Sequence, residues 1–289
     1  MNATLSGIAA ALWLGGLWYA APLLSSGDEN AQRPARRLRD GILLGTGIPL
    51  VLAAMSVLTG ATCIVALLAV VVMRTVRRPP QLSPLRQLRS RVPLEAIVGR
   101  ALPTVTVVLA AWPALVRPIM QGDSLGYHLP NAASWSTTHS LFTTGTSYWW
   151  YPGGSELFAA GVFSVAGPLA VGLSGTVAAL LLAHRLFAFA AQARFAPIAS
   201  GSLAAATVTI PIFALQSASL ENDVWLTAWV LEIVWTIRYE RQAVARAIAV
   251  CGLTKPYGFI FAAFAALLGH VQPSAIILGF APTYLLAAS

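Results

Sequence analysis

Residues 101–130 read ALPTVTVVLAAWPALVRPIMQGDSLGYHLP. The first part, 101–119, is an apolar run of about the 20 residues a bilayer-spanning helix needs. The second part, Gln121–Pro130, brings a carboxylate, a phenol and an imidazole together as Asp123, Tyr127 and His128. The end of a membrane segment has little use for such groups unless binding or chemistry happens there.

The pattern repeats along the chain. Of 289 residues, 57% are hydrophobic and 10% charged, where a soluble domain carries about a quarter charged. Mean hydropathy is +0.72. Apolar segments run roughly 4–24, 42–58, 61–73, 101–119, 155–183, 196–215, 224–237, 243–268 and 271–288. They are continuous, whereas a transmembrane β-barrel would alternate over segments of about ten residues. The expected fold is all-α: a polytopic transmembrane helical bundle of about eight to ten spans. Cys63 and Cys251 fall in apolar segments and read as small core residues. Met1–Leu24 lacks the basic start and small-residue cleavage pattern of a signal peptide.

The net charge of +8 does not point to nucleic acid, because the arginines gather in short loops between apolar runs. Loop 25–40 carries Arg33, Arg36, Arg37 and Arg39. Loop 74–100 carries Arg74, Arg77, Arg78, Arg86, Arg89, Arg91 and Arg100. Both loops are expected on the cytoplasmic side. That requires an even number of crossings between them and predicts a helical hairpin turning near Thr59, Gly60 and Thr62. Segment 101–119 then crosses outward. Loop 120–152 becomes extracytoplasmic and aromatic, with Leu129–Phe142 a short interfacial helix started after Pro130 by Asn131. Arg238, Arg241 and Arg246 mark another cytoplasmic turn, which puts Glu221, Asn222 and Asp223 outside. His184, Arg185 and Arg194 suggest one more inside loop. Gly167-Pro168 either leaves 155–183 as one helix or breaks it in two.

Each polar group has a plain reading beside a functional one. Asp123 is either a solvated loop carboxylate at a helix exit or a base that deprotonates an acceptor hydroxyl. His128 is either an interfacial hydrogen-bonding residue or part of that site. In YWWYPGGSE, Tyr148–Glu156, the carboxylate suits a helix start, and the turn can also offer N–H groups to a phosphate. Asn222 or Asp223 caps the following helix or contacts a sugar. Of 18 basic residues, Lys255 alone is lysine, in CGLTKPYGF. It either snorkels or captures an anion at a helix broken by Pro256 and Gly258. No nucleotide-binding loop, metal-ligand spacing or internal repeat is present.

In order, GDSLGYHLP, an aromatic loop, YPGGSELF, a Gln…NDVW segment and GLTKPYGF resemble the polytopic glycosyltransferases of the type-C fold. This group includes protein O-mannosyltransferases and the aminoarabinose transferase of lipid A. The resemblance covers about residues 100–270. It implies transfer of a sugar from a polyprenyl-phosphate donor to an extracytoplasmic glycan, lipid or protein acceptor. It places the chain as a multi-pass protein of a bacterial plasma membrane, its active face extracytoplasmic. By resemblance Asp123 is the catalytic base. Tyr127, His128, Tyr151, Glu156, Asn222, Asp223 and Lys255 line the substrate site, with Lys255 on the donor phosphate. No cofactor is implied, and a divalent cation stays open.

The resemblance also divides the chain. Residues 1–100 are N-terminal transmembrane helices with basic cytoplasmic loops, and 101–289 a partial glycosyltransferase-like core. Ser124 stands where several branches carry a second acidic residue. Members commonly have further spans, so the resemblance implies a missing C-terminal part or a membrane partner completing the fold. The rival readings are a transporter or flippase, and a non-catalytic membrane subunit or truncated glycosyltransferase fragment.

Overall fold

A computed structural model describes residues 3–24, 33–77, 93–116, 119, 121–143 and 153–267. These residues are all-helical, with no strand among them. Four helical stretches are long and apolar enough to cross a membrane: Thr4–Leu23, Gly60–Arg77, Leu94–Trp112 and Pro168–Gln192. By length and composition they mark a membrane protein.

The helices are α1 (Ala3–Ala20), α2 (Arg33–Ala54), α3 (Gly60–Arg77), α4 (Leu94–Val116), α5 (Leu129–Thr138), α6 (Gly154–Ala166), α7 (Leu173–Gln192), α8 (Pro197–Val208), α9 (Pro211–Gln216), α10 (Asp223–Tyr239), α11 (Val244–Thr254) and α12 (Pro256–Leu267). Proline and glycine set most breaks. Gly167, at φ 79°, separates α6 from α7 just ahead of Pro168, a conformation that glycine adopts freely. Pro211 ends the run of α8, and Pro256 ends that of α11. Several apolar runs are therefore half-length helices, fewer full spans than their number predicts.

The α2–α3 hairpin turns as the arginine count requires. Thr59 and Thr62 cap α3 reciprocally: the Thr59 N–H donates to Thr62 Oγ1 at 2.9 Å and the Thr62 N–H to Thr59 Oγ1 at 3.1 Å. This is the geometry of a capping box with hydroxyls in both places. His184 and Arg185, expected in a loop, lie inside α7. The turn falls instead at 193–196. The boundary at residue 100 falls inside α4. α1, α2 and α3 pack on α6, and α2 also packs on α7, so the two segments share one core.

Helices α5 and α6 differ most from expectation. They run side by side in one direction, with His128 beside Glu156 at their starts and Ser136 beside Ser164 further on. Phe158 lies against Gly45, and Gly161 against Pro49, in the body of α2. The far end of α6 meets α1, where the Ser6 hydroxyl donates to the Ala166 carbonyl. Both helices therefore start inside the bundle. α5 is no surface helix: Asn131, Ala132 and Trp135 are buried. It starts at Leu129, ahead of Pro130, and Asn131 lies within it. Ala132 and Gly153 leave room for this contact; a β-carbon on Gly153 would meet the Trp135 ring.

The ends that carry arginines gather at one end of the bundle. The Arg36 Nε–H donates to Glu240 Oε1 at 2.9 Å, and Arg39 Nη1 to Glu240 Oε2 at 2.7 Å. Arg39 also donates to Asp40 at 2.8 Å and to Glu232 at 3.2 Å. Arg185 binds Glu232 through two bonds of 2.7 and 2.8 Å, and its guanidinium lies 4.5 Å from the Trp235 ring. Three arginines thus meet three carboxylates, with Arg39, Asp40, Arg185 and Glu232 fully buried. Glu240 lies past the apolar run of α10. Burial opposes its ionisation, but Arg39, Arg185 and Arg36 outweigh that and hold its carboxyl at about 2.

Helices α4 and α8 approach through glycine. A β-carbon on Gly201 would run into the Gly99 carbonyl, the small-residue packing that membrane helices favour. Gly201→Val is expected to cost about 1–3 kcal/mol by overpacking. Gly15→Ala, at a glycine with open space around it, is the control. Thermal unfolding in detergent reads both; equal midpoints would remove the close contact.

Candidate functional site

Away from the arginine cluster, polar groups converge from four segments. The first is a single π-helical turn, Ser124–His128, running directly into α5. Such turns are rare and recur at functional sites. Asp123 is its N-cap, with no side-chain capping bond. The sequence places this carboxylate at the exit of the preceding helix. In the structure it heads the next one, where the helix dipole favours an anion. Asp123 is exposed, and among the described residues no partner is recorded for it.

His128 is buried, and its Nδ1 lies 2.5 Å from Glu156 Oε1. The Ser155 hydroxyl donates to the other carboxylate oxygen at 2.7 Å. The Tyr127 ring stacks tilted on the imidazole, 3.9 Å between centroids. Glu156, in the first turn of α6, therefore fixes the imidazole through Nδ1 and leaves Nε2 as the other functional nitrogen.

The third segment is 216–223. Asn222 is the N-cap of α10 but makes no side-chain cap; its amide donates to the Thr254 carbonyl at 3.3 Å. Gln216 supplies the cap from outside the helix. Its Oε1 accepts from the Val224 N–H at 2.9 Å, and its Nε2 donates to Asp223 Oδ2 at 3.0 Å. The Ser124 hydroxyl oxygen accepts from the Leu220 N–H at 3.2 Å, joining this segment to the π turn.

The fourth segment is the break between α11 and α12. Lys255 takes extended backbone angles there, φ −153° and ψ 153°. Its ammonium pairs with Asp223. The lysine side chain is 16% exposed and the aspartate 57%. Asp223 precedes the apolar run 224–237. Burial opposes its ionisation, while bonds from Lys255 and Gln216 and the nearby His128 outweigh that and hold it below the usual range. Gly154 packs on Leu253, bringing Glu156 and Lys255 into one neighbourhood.

Of the residues singled out in the sequence, Tyr127, His128, Glu156, Asn222, Asp223 and Lys255 thus fall in connected segments, with Asp123 at the edge. Tyr151 lies outside the described residues. Gln216, Ser124 and Ser155 complete the network. Among the described residues no group of three or more His, Cys, Asp or Glu side chains is placed to hold a metal ion. Cys63 and Cys251 are buried and unpaired. The arrangement offers an accessible carboxylate, a carboxylate-oriented imidazole and a partly exposed ammonium.

The ionic cluster at the arginine end is not among the sites that the sequence pattern announces, because Arg39 and Arg185 count there as loop arginines. Its signal in the sequence is Glu232, a carboxylate in the middle of VWLTAWVLEIVW.

The chain matches no protein-family model, no curated protein sequence and no solved structure.

Proposed function

We propose that the chain is a membrane glycosyltransferase, transferring a sugar from a polyprenyl-phosphate donor to an acceptor outside the cytoplasm. The observation that carries the reading is the chain's only lysine, set in a helix break and linked through Asp223 and segment 216–223 to the turn that carries His128, the partner of Glu156. In the proposed step the acceptor hydroxyl attacks the anomeric carbon. The bond from that carbon to the phosphate oxygen breaks, and polyprenyl phosphate leaves. Asp123 takes the acceptor proton. Lys255 offsets the charge of the departing phosphate. Glu156 orients His128, which with Tyr127, Asn222 and Asp223 shapes the sugar site. The arginine end is assigned to the cytoplasm by the positive-inside rule, in a bacterial plasma membrane, with the site on the opposite face.

Asp123→Asn tests this directly. In membranes active for transfer from a radiolabelled polyprenyl-phosphate sugar, turnover is expected to fall about 10²–10⁴-fold, the usual worth of a general base. Unchanged transfer would remove Asp123 from the reaction.

Transport is favoured by one observation: the chain breaks helices at Gly167-Pro168 and at Lys255-Pro256, as transporters do around substrates. Uptake of the lipid-linked sugar across vesicles, without a glycosidic product, would decide for that reading.

A further inference from the structure

Gln216, the last residue of α9, is 1% exposed. Its amide is not free to turn. The Val224 N–H can only donate, so the amide oxygen must face it, at 2.9 Å. The amide nitrogen therefore faces Asp223 and donates to Oδ2 at 3.0 Å. The backbone behind this side chain is equally fixed. α7 packs onto it at Gly175, where a β-carbon would run into the carbonyls of Gln216 and Ser219. The neighbouring Thr176 hydroxyl donates to the Ser217 carbonyl at 2.9 Å. Gln216 thus holds Asp223 from a rigid part of the bundle.

That hold divides the carboxylate. Gln216 engages Oδ2 and leaves Oδ1 to the Lys255 ammonium. An ammonium carries three donors. Among the described residues Asp223 is the one hydrogen-bond partner recorded for this one. Two donors of Lys255 therefore stay open, on a side chain that still reaches the surface. Without the bond from Gln216, the carboxylate of Asp223, which is 57% exposed, can rotate and bring both oxygens to the ammonium. It would then take a second donor and leave less of the lysine for an anion.

We propose that Gln216 is a positioning residue for the phosphate site: by restraining one oxygen of Asp223, it keeps two donors of Lys255 open for the phosphate of a polyprenyl phosphate. This role rests on the reading that Lys255 takes the donor phosphate. Gln216 acts through Asp223 and touches no ligand itself.

The test measures binding of undecaprenyl phosphate by the full chain in nanodiscs. Gln216→Met keeps the length of the side chain and loses both bonds. It is expected to weaken binding about tenfold, the worth of one hydrogen bond to a charged group. On the Asp223→Asn background, where no charge competes for the ammonium, the same change is expected to leave binding unchanged. Equal weakening on both backgrounds would make Gln216 only the cap of α10 and overturn the proposal. Gln216→Glu keeps an acceptor for the Val224 N–H and loses the donor to Asp223. It is expected to weaken binding at least as much as Gln216→Met does; binding like the parent's would overturn the proposal. Undecaprenol, the same chain without a phosphate, is expected to bind every variant alike. A loss there that matched the loss for the phosphate would place the effect in packing and overturn the proposal too. Lys255→Met separates the role of Gln216 from the reading beneath it. If the parent bound undecaprenyl phosphate no better than Lys255→Met does, the lysine would not be the phosphate's partner, and the role of Gln216 would fall with it. If the lysine mattered and Gln216→Met bound like the parent, the role of Gln216 alone would fall.

Discussion

Glu232→Ala is expected to destabilise the protein by about 3–5 kcal/mol, the cost of leaving a buried charge without its partner. Glu232 sits fully buried on α10, in a two-bond pair with Arg185 and a single bond to Arg39. Without it, Arg39 keeps Asp40 and Glu240 at 2.8 and 2.7 Å. Arg185 keeps only Glu240, at 3.8 Å, and its other contact is the face of Trp235. The loss therefore falls mainly on Arg185. Replacing both members by apolar residues removes the charge that needs a partner, and such exchanges are often neutral. The double variant Arg185→Met/Glu232→Leu is accordingly expected to unfold closer to the parent than Glu232→Ala does. Glu232→Gln, keeping an acceptor but not the charge, should fall between. Unfolding in detergent with increasing dodecyl sulfate measures all three. If Glu232→Ala matched the parent, the cluster would not be holding α2, α7 and α10 together.

That cluster also shows what sequence alone could and could not reveal. The all-helical class was legible because composition and run length leave no other way to satisfy the backbone in a membrane. The α2–α3 turn was legible because both arginine loops needed the same side. The break at Lys255 was legible from Pro256. Pairing was not. Arg39 and Arg185 carry the same sign as their neighbours in sequence, and only the packing of α2 and α7 against α10 turns them from loop charges into buried ones. The direction of α5 and α6 was hidden for a related reason. An aromatic, polar stretch reads as a surface, yet small residues on α5 let it pack within the bundle. The sequence ties Asp123 to the apolar run before it, whereas in the fold it heads the π turn that follows. Gln216 gave only the weak signal of a lone amide; its two bonds to the head of α10 depend on a turn that no local pattern announces.

Simple geometry links the head of α10 to its middle. Asp223 and Glu232 are nine residues apart on one helix, about 14 Å of rise. The body of the helix is fixed by buried arginines and is built for rigidity. Its head carries an ion pair that is partly open, and an open pair contributes only about 0–1 kcal/mol. The lysine is therefore dispensable for stability and available for a ligand. Lys255→Met is expected to leave the unfolding midpoint nearly unchanged while lowering proposed sugar transfer about 10²–10³-fold, the usual loss when one donor to a developing anion is removed. It should also weaken binding of undecaprenyl phosphate, the proposed leaving group. Asp223→Asn separates the two roles of the pair. Asp223 competes with any bound phosphate for the ammonium, so its neutralisation is expected to keep or strengthen undecaprenyl phosphate binding. Gln216 can still hold the asparagine in place through its own amide. Lys255→Arg should bind but turn over slowly, since a planar guanidinium does not reproduce a compact ammonium. If Lys255→Met and Asp223→Asn weakened binding equally, the pair would be a structural tie between α10 and the α11–α12 break. The phosphate would then need another cation.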